Sequence, residues 1–135
     1  MRVLITGSRN WTDASLILDT ILRSIPHDVP LEEVTLVHGG CPSGADALAS
    51  GLCREYQMTE EVHRADWGRD GKAGGPRRNQ FMVDTRPDLV LAFPLGGSRG
   101  TRDCIRRAQV ARLPMIVTEG EVNLGKEVPV PRTGL

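Results

Sequence analysis

Three glycines and two arginines fall within seven residues, as Gly96, Gly97, Arg99, Gly100 and Arg102, in the run Pro-Leu-Gly-Gly-Ser-Arg-Gly-Thr-Arg that begins at Pro94. A plain strand-to-helix turn needs one or two glycines. Three leave backbone amides bare at a helix start, where free N–H groups accept an anion and arginines add matching charge. The expected chemistry is anion recognition by Gly96, Gly97, Ser98, Arg99, Gly100 and Thr101. Gly7-Ser8-Arg9 and Gly39-Gly40, with Asp46 shortly after, are two further loops of the same character. Arg77 and Arg78 follow Pro76 at the start of another helical pattern. Cations are unfavourable at a helix N-terminus, and a bound anion would remove the conflict, whereas the plain reading is a solvated basic face.

These loops need elements to hold them in place. Val3, Leu4 and Ile5 read as a first strand, and Leu16, Ile17, Ile21, Leu22 and Ile25 recur at helical spacing behind a cap at Thr12 or Asp13. Pro26 ends that helix, and residues 26–32 read as a Pro-rich loop. A second strand spans residues 34–37. Ser43 and Asp46 have the spacing of a capping box ahead of a helix through Ala45, Leu48, Ala49, Leu52, Cys53 and Tyr56. A weaker third strand covers residues 59–63. Residues 64–75 look too charged and glycine-rich for a regular element, and Pro76 suits the first residue of a short helix to about Asp84. Residues 89–93 are an unbroken apolar run, as in a strand buried on both faces. A helix starting near Thr101 carries Cys104, Ile105, Ala108 and Ala111 on one face, and a fifth strand lies within residues 114–118.

The alternation of strand and helix predicts an α/β fold: one Rossmann-like, three-layer domain over residues 1–120, with a mostly parallel five-stranded sheet in the order 3-2-1-4-5 and helices on both faces. Residues 121–135 read as an irregular tail. In such sheets ligands bind beyond the carboxyl ends of the strands where the order reverses, here between the Gly7 and Gly96 loops, with the Gly39 loop beside them.

The totals narrow the function. The 135 residues carry no net charge, which argues against nucleic acid as a partner, since strand binding draws on phosphate neutralisation. No apolar stretch approaches a membrane span, and the chain opens directly into a strand, so a cytoplasmic location is expected. Three cysteines without a Cys-x-x-Cys pair fit neither a disulfide framework nor zinc, and no metal or cofactor is expected. Gly39 and Gly44 have P-loop spacing, but Ala45 and Asp46 stand where lysine and a hydroxyl residue belong. The first loop has Gly7 alone and the second strand runs into His38, so a dinucleotide fingerprint is absent.

Four segments together resemble the SLOG superfamily, Rossmann-like domains that include the YspA/YpsA-related branch labelled DUF2493 in bacteria and phages and, more distantly, the cytokinin-activating phosphoribohydrolases. The segments are Ile-Thr-Gly-Ser-Arg ending at Arg9, Val-His-Gly-Gly-Cys-Pro-Ser-Gly-Ala-Asp ending at Asp46, the stretch from Ala65-Asp66-Trp67 to Gly75-Pro76-Arg77-Arg78-Asn79, and Ala-Phe-Pro-Leu-Gly-Gly-Ser-Arg-Gly-Thr ending at Thr101. The resemblance implies a pocket for a nucleotide or nucleotide-derived phosphorylated ligand, in a sensor or carrier role, and a homodimer. Its hydrolase branch suggests the alternative of an N-glycosidase that cleaves a nucleoside 5′-monophosphate to base and ribose 5-phosphate. In that branch's pattern Arg78 and Met82 match an Arg-x-x-x-Met segment, but the loop's glutamate falls on Cys104. Asp103, one residue earlier, is then the candidate acid, with Arg78 positioning substrate, and its plain role is favourable charge near a helix start. Trp67 either stacks on a base or packs on the domain. Asp46 is a cap or a partner for a ligand hydroxyl. His38 reads as structurally satisfied.

Overall fold

The structure, a computed structural model, describes residues 1–120; the expected tail at 121–135 lies outside the described residues. The chain runs β1 (Arg2–Gly7), α1 (Ala14–Ser24), β2 (Thr35–His38), α2 (Gly44–Tyr56), β3 (Thr59–Val62), α3 (Trp67–Asp70), α4 (Gly74–Asp84), β4 (Leu89–Phe93), α5 (Arg99–Val110) and β5 (Met115–Val117). All pairings are parallel, and the order is β3-β2-β1-β4-β5.

Alternation along the strands divides the core. Val3, Ile5, Leu36, Leu91 and Phe93 face a layer built from Ile17, Ile21, Ala45 and Ala49 of α1 and α2. Leu4, Val37 and Val90 point the other way, against Met82 and Val83 of α4 and Cys104 and Ala108 of α5. Side chains on a strand alternate faces, so a sheet covered twice needs apolar residues at every position. All five residues of β4 are buried accordingly.

Several boundaries differ from the sequence reading. Asp13, not Thr12, caps α1, its Oδ1 accepting from the Leu16 amide at 3.0 Å. The Pro-rich loop closes with a 3₁₀ turn at Leu31–Glu33. The expected irregular segment contains α3, because the Asp66 side chain caps it through the Arg69 amide at 2.9 Å, and a 3₁₀ turn at Gly71–Ala73 leads directly into α4. That helix therefore starts two residues before Pro76. A Cβ at Gly75 would lie 3.0 Å from the Trp67 indole, so the bare Gly74-Gly75 pair is the seat on which that ring rests.

Candidate functional site

The chain leaves β1 toward β2 and β3, then returns through β4 to the other side, so the carboxyl ends of β1 and β4 stand together with Gly7 paired to Phe93. The Ser8 amide donates to the Phe93 carbonyl at 3.0 Å. Beyond that junction opens a cleft of about 920 Å³, a size suited to a small organic ligand. Gly7, Ser8, Arg9, Gly39, Asp46, Arg78, Gly97, Ser98, Arg99, Gly100 and Thr101 line it. Gly40, Gly96, Trp67, Arg77 and Asp103 are not among the lining residues.

Two helix N-termini face this region, and they differ. At α2 the Ala45 amide donates to the Ser8 carbonyl at 3.1 Å, and in the loop before the helix the Cys41 amide donates to Asp46 Oδ2 at 3.1 Å. Gly44 sits at φ +71° with the Ser8 carbonyl where a Cβ would go, and a Cβ at Gly7 would lie 2.6 Å from that of Ala45. At α5 the cap is Ser98 in a left-handed conformation, its hydroxyl turned back to the Leu95 amide and carbonyl at 2.9 and 2.5 Å. No side chain caps this end or that of α2, and at α5 the amides of Arg99, Gly100 and Thr101 have no acceptor among the described residues. A Cβ at Gly97 or Gly100 would meet nothing within 4 Å.

Cations follow the same division. Arg9, Arg78 and Arg99 line the cleft without an ion pair among the described residues. Arg102, expected to supply charge, instead donates to the Gly96 carbonyl at 2.6 Å and pairs with Glu119 at 3.0 Å, fastening the loop from outside. Arg77 turns away toward Asp70, at 3.8 Å.

A hydrogen-bond chain ties the two loops together. Arg78 of α4 donates through NH1 to the Gly39 carbonyl at 3.0 Å and through Nε to Asn79 Oδ1 at 2.9 Å. Buried Asn79 donates through Nδ2 to the Gly100 carbonyl at 3.1 Å and to Asp103 Oδ2 at 3.0 Å. Asp103 also accepts from Arg107 Nε at 2.9 Å. Burial pushes its carboxyl up, but the hydrogen bonds from Arg107 and Asn79 and the nearby guanidinium charges outweigh that and hold it below the usual range. Each residue turns a helix by about 100°, which is why Asp103 faces α4 while Cys104, where the hydrolase motif has glutamate, points into the core at 0% exposure. Burial pushes that thiol up to about 11. Asn79 escaped sequence reasoning; its position beside Arg78 was the available signal.

Asp46 does not form the expected capping box. Its carboxylate reaches past Ser43 to the Cys41 amide, and burial raises its pKa against the opposing pull of that amide, His38 and Arg78. His38 is satisfied as expected: Nδ1 accepts from the Gly40 amide at 3.0 Å and Nε2 meets Glu60 at 2.7 Å.

Fold and cleft together define a Rossmann-like domain with an open cleft at its switch point, lined by Arg9, Arg78 and Arg99. Residues 1–69 match the family model for the YspA, cpYpsA-related SLOG family. The chain is also 47% identical over 120 residues to the Gene 61 protein of Mycobacterium phage D29, covering 85% of this chain and 94% of that protein. It belongs to the YspA, cpYpsA-related SLOG family. Among solved structures, the C-terminal domain of PF1911 hydrogenase from Pyrococcus furiosus aligns over 86% of this chain and 89% of its own at 16% identity and a TM-score of 0.39. Among the described residues no helix is long and apolar enough to cross a membrane.

Proposed function

We propose that residues 1–120 form a module that binds a phosphorylated, nucleotide-like ligand in this cleft, as a sensor or carrier. The phosphate meets the amides of Gly97, Gly100 and Thr101 at the start of α5. Arg78 and Arg99 supply charge from the sides, and Arg9 from the β1 loop. The observation that carries this reading is the pair Gly97 and Gly100. Neither has a positive φ, and neither has a neighbour that a side chain would strike. Nothing in the packing of the described residues requires glycine there, so the bare backbone is reserved for something outside the chain. Unsatisfied amides at a helix start with guanidinium groups nearby suit a phosphate better than a neutral group.

Cleavage by Asp103 has no comparable support. Its carboxylate is committed to Asn79 and Arg107 and stands outside the cleft lining. The resemblance to relatives makes a cytoplasmic homodimer part of the same proposal, which size-exclusion chromatography with light scattering checks for its dimer component. The function itself is tested by titrating the protein with nucleoside 5′-monophosphates and the matching nucleosides. Binding that requires the phosphate, weakens with salt and is lost in Arg78→Ala supports the module. Equal binding of nucleoside and monophosphate contradicts it.

A further inference from the structure

Asp46 is a carboxylate in a cleft whose other charged walls are Arg9, Arg78 and Arg99, with Asp13 at the start of α1. It is the third residue of α2, 9% exposed, and lines the cleft beside Gly39, Cys41 and Arg78. Within the protein it is met by the Cys41 amide and stands near His38 and Arg78. Ser8 already takes the Ala45 amide, and an asparagine could accept from the Cys41 amide without the cost of burying an ionised group. Burial opposes ionisation here, so the empty protein carries this acid at a disadvantage. Such a cost at a ligand site points to a partner that arrives with the ligand.

That partner is not the phosphate, which a carboxylate repels. The order along the cleft is set by the hydrogen-bond chain from Gly39 through Arg78 and Asn79 to Gly100. Asp46, beside Gly39 and Cys41, thus lies at the Gly39 end, with the Arg78 and Asn79 side chains between it and the anion end at Gly100. In a nucleotide the group next to the phosphate is the sugar, and its hydroxyls are neutral donors. Resting on the phosphate reading above, we infer that Asp46 accepts hydrogen bonds from the ribose hydroxyls and makes the site selective for ribonucleotides over 2′-deoxyribonucleotides. A site built around a hydroxyl rejects the analogue lacking it, because its own buried polar group is left unpaired.

The test needs only the wild-type protein first. Adenosine, guanosine, cytidine and uridine 5′-monophosphates are titrated against their 2′-deoxy counterparts by calorimetry. The ribonucleotide that binds is expected to bind about tenfold or more tighter than its deoxy form. In Asp46→Asn, whose folding is checked by thermal melting, its affinity drops to that of the deoxy form while the deoxy form binds as before. Equal affinities for the ribo and deoxy forms in the wild type, or equal weakening of both in the variant, overturn the inference and leave the phosphate reading standing. No binding by any monophosphate overturns both.

Discussion

The starts of α2 and α5 both follow a glycine loop at the carboxyl edge of the sheet, yet they do opposite things. At α2 the glycines let protein approach protein: Gly44 clears the Ser8 carbonyl, Gly7 clears Ala45, and the Ala45 amide is taken by Ser8. At α5 the glycines approach nothing, and the amides stay open. Glycine at a tight contact serves packing, whereas glycine facing empty space leaves room for the ligand proposed above. One fold thus places the same residue at two neighbouring helix starts, at one against packed atoms and at the other against open space.

The largest effects should break this contrast at its structural end. Gly44→Ala places a Cβ against the Ser8 carbonyl at a positive φ, and its stability in urea should fall by about 2 kcal/mol or more. Gly100→Ala should leave stability unchanged or raise it by up to about 1 kcal/mol, since alanine favours a helix, while weakening nucleotide binding about tenfold by crowding the anion. If Gly100→Ala destabilises as Gly44→Ala does, the two loops are alike and the contrast is wrong.

Next comes Arg78→Ala. Losing a charge-assisted contact of roughly 1.5–3 kcal/mol should weaken monophosphate binding about tenfold to a hundredfold, measured by calorimetry, with little change for the bare nucleoside. Asp103→Asn acts through Asn79 and should cost only a few-fold in the same assay. Its second signature is in stability. Asp103 has a lowered folded pKa, so its contribution is present above the ordinary carboxylate pKa and is lost as pH falls through the folded value. The variant should show a weaker loss of stability on acidification.

Asp46→Asn should give the smallest change, of opposite sign. Its folded pKa is raised, so the stability linked to its proton is present below the ordinary carboxylate pKa and lost as pH rises through the folded value. At neutral pH the variant should melt no lower than the wild type, a gain in stability set against a loss of ribose selectivity. A lower melting temperature would mean that the Asp46 charge serves the fold.

The strand order was legible in the sequence because apolar runs such as residues 89–93 and crossovers of one hand leave few topologies. The position of the cleft followed from that order. Which glycines serve packing was not legible, since Gly7 against Ala45 and Gly44 against Ser8 are meetings across elements. The same holds for Arg102, whose partner Glu119 is 17 residues on, and for Asp103, whose direction depends on where α5 begins. Starting that helix at Arg99 puts Asp103 in its second turn, facing α4. The short α3 was missed because a single cap at Asp66 makes a helical turn in a segment whose composition argues against one.

The central claim is that the anion sits at α5 and not at α2. Amide chemical shifts followed by ¹⁵N–¹H spectroscopy during titration with a nucleoside 5′-monophosphate address it residue by residue. The expected result is large movement of the Gly97, Gly100 and Thr101 amides, with that of Ala45, already bonded to Ser8 within the protein, shifting little. Movement concentrated at Cys41 and Ala45, with the α5 amides unmoved, would contradict the account.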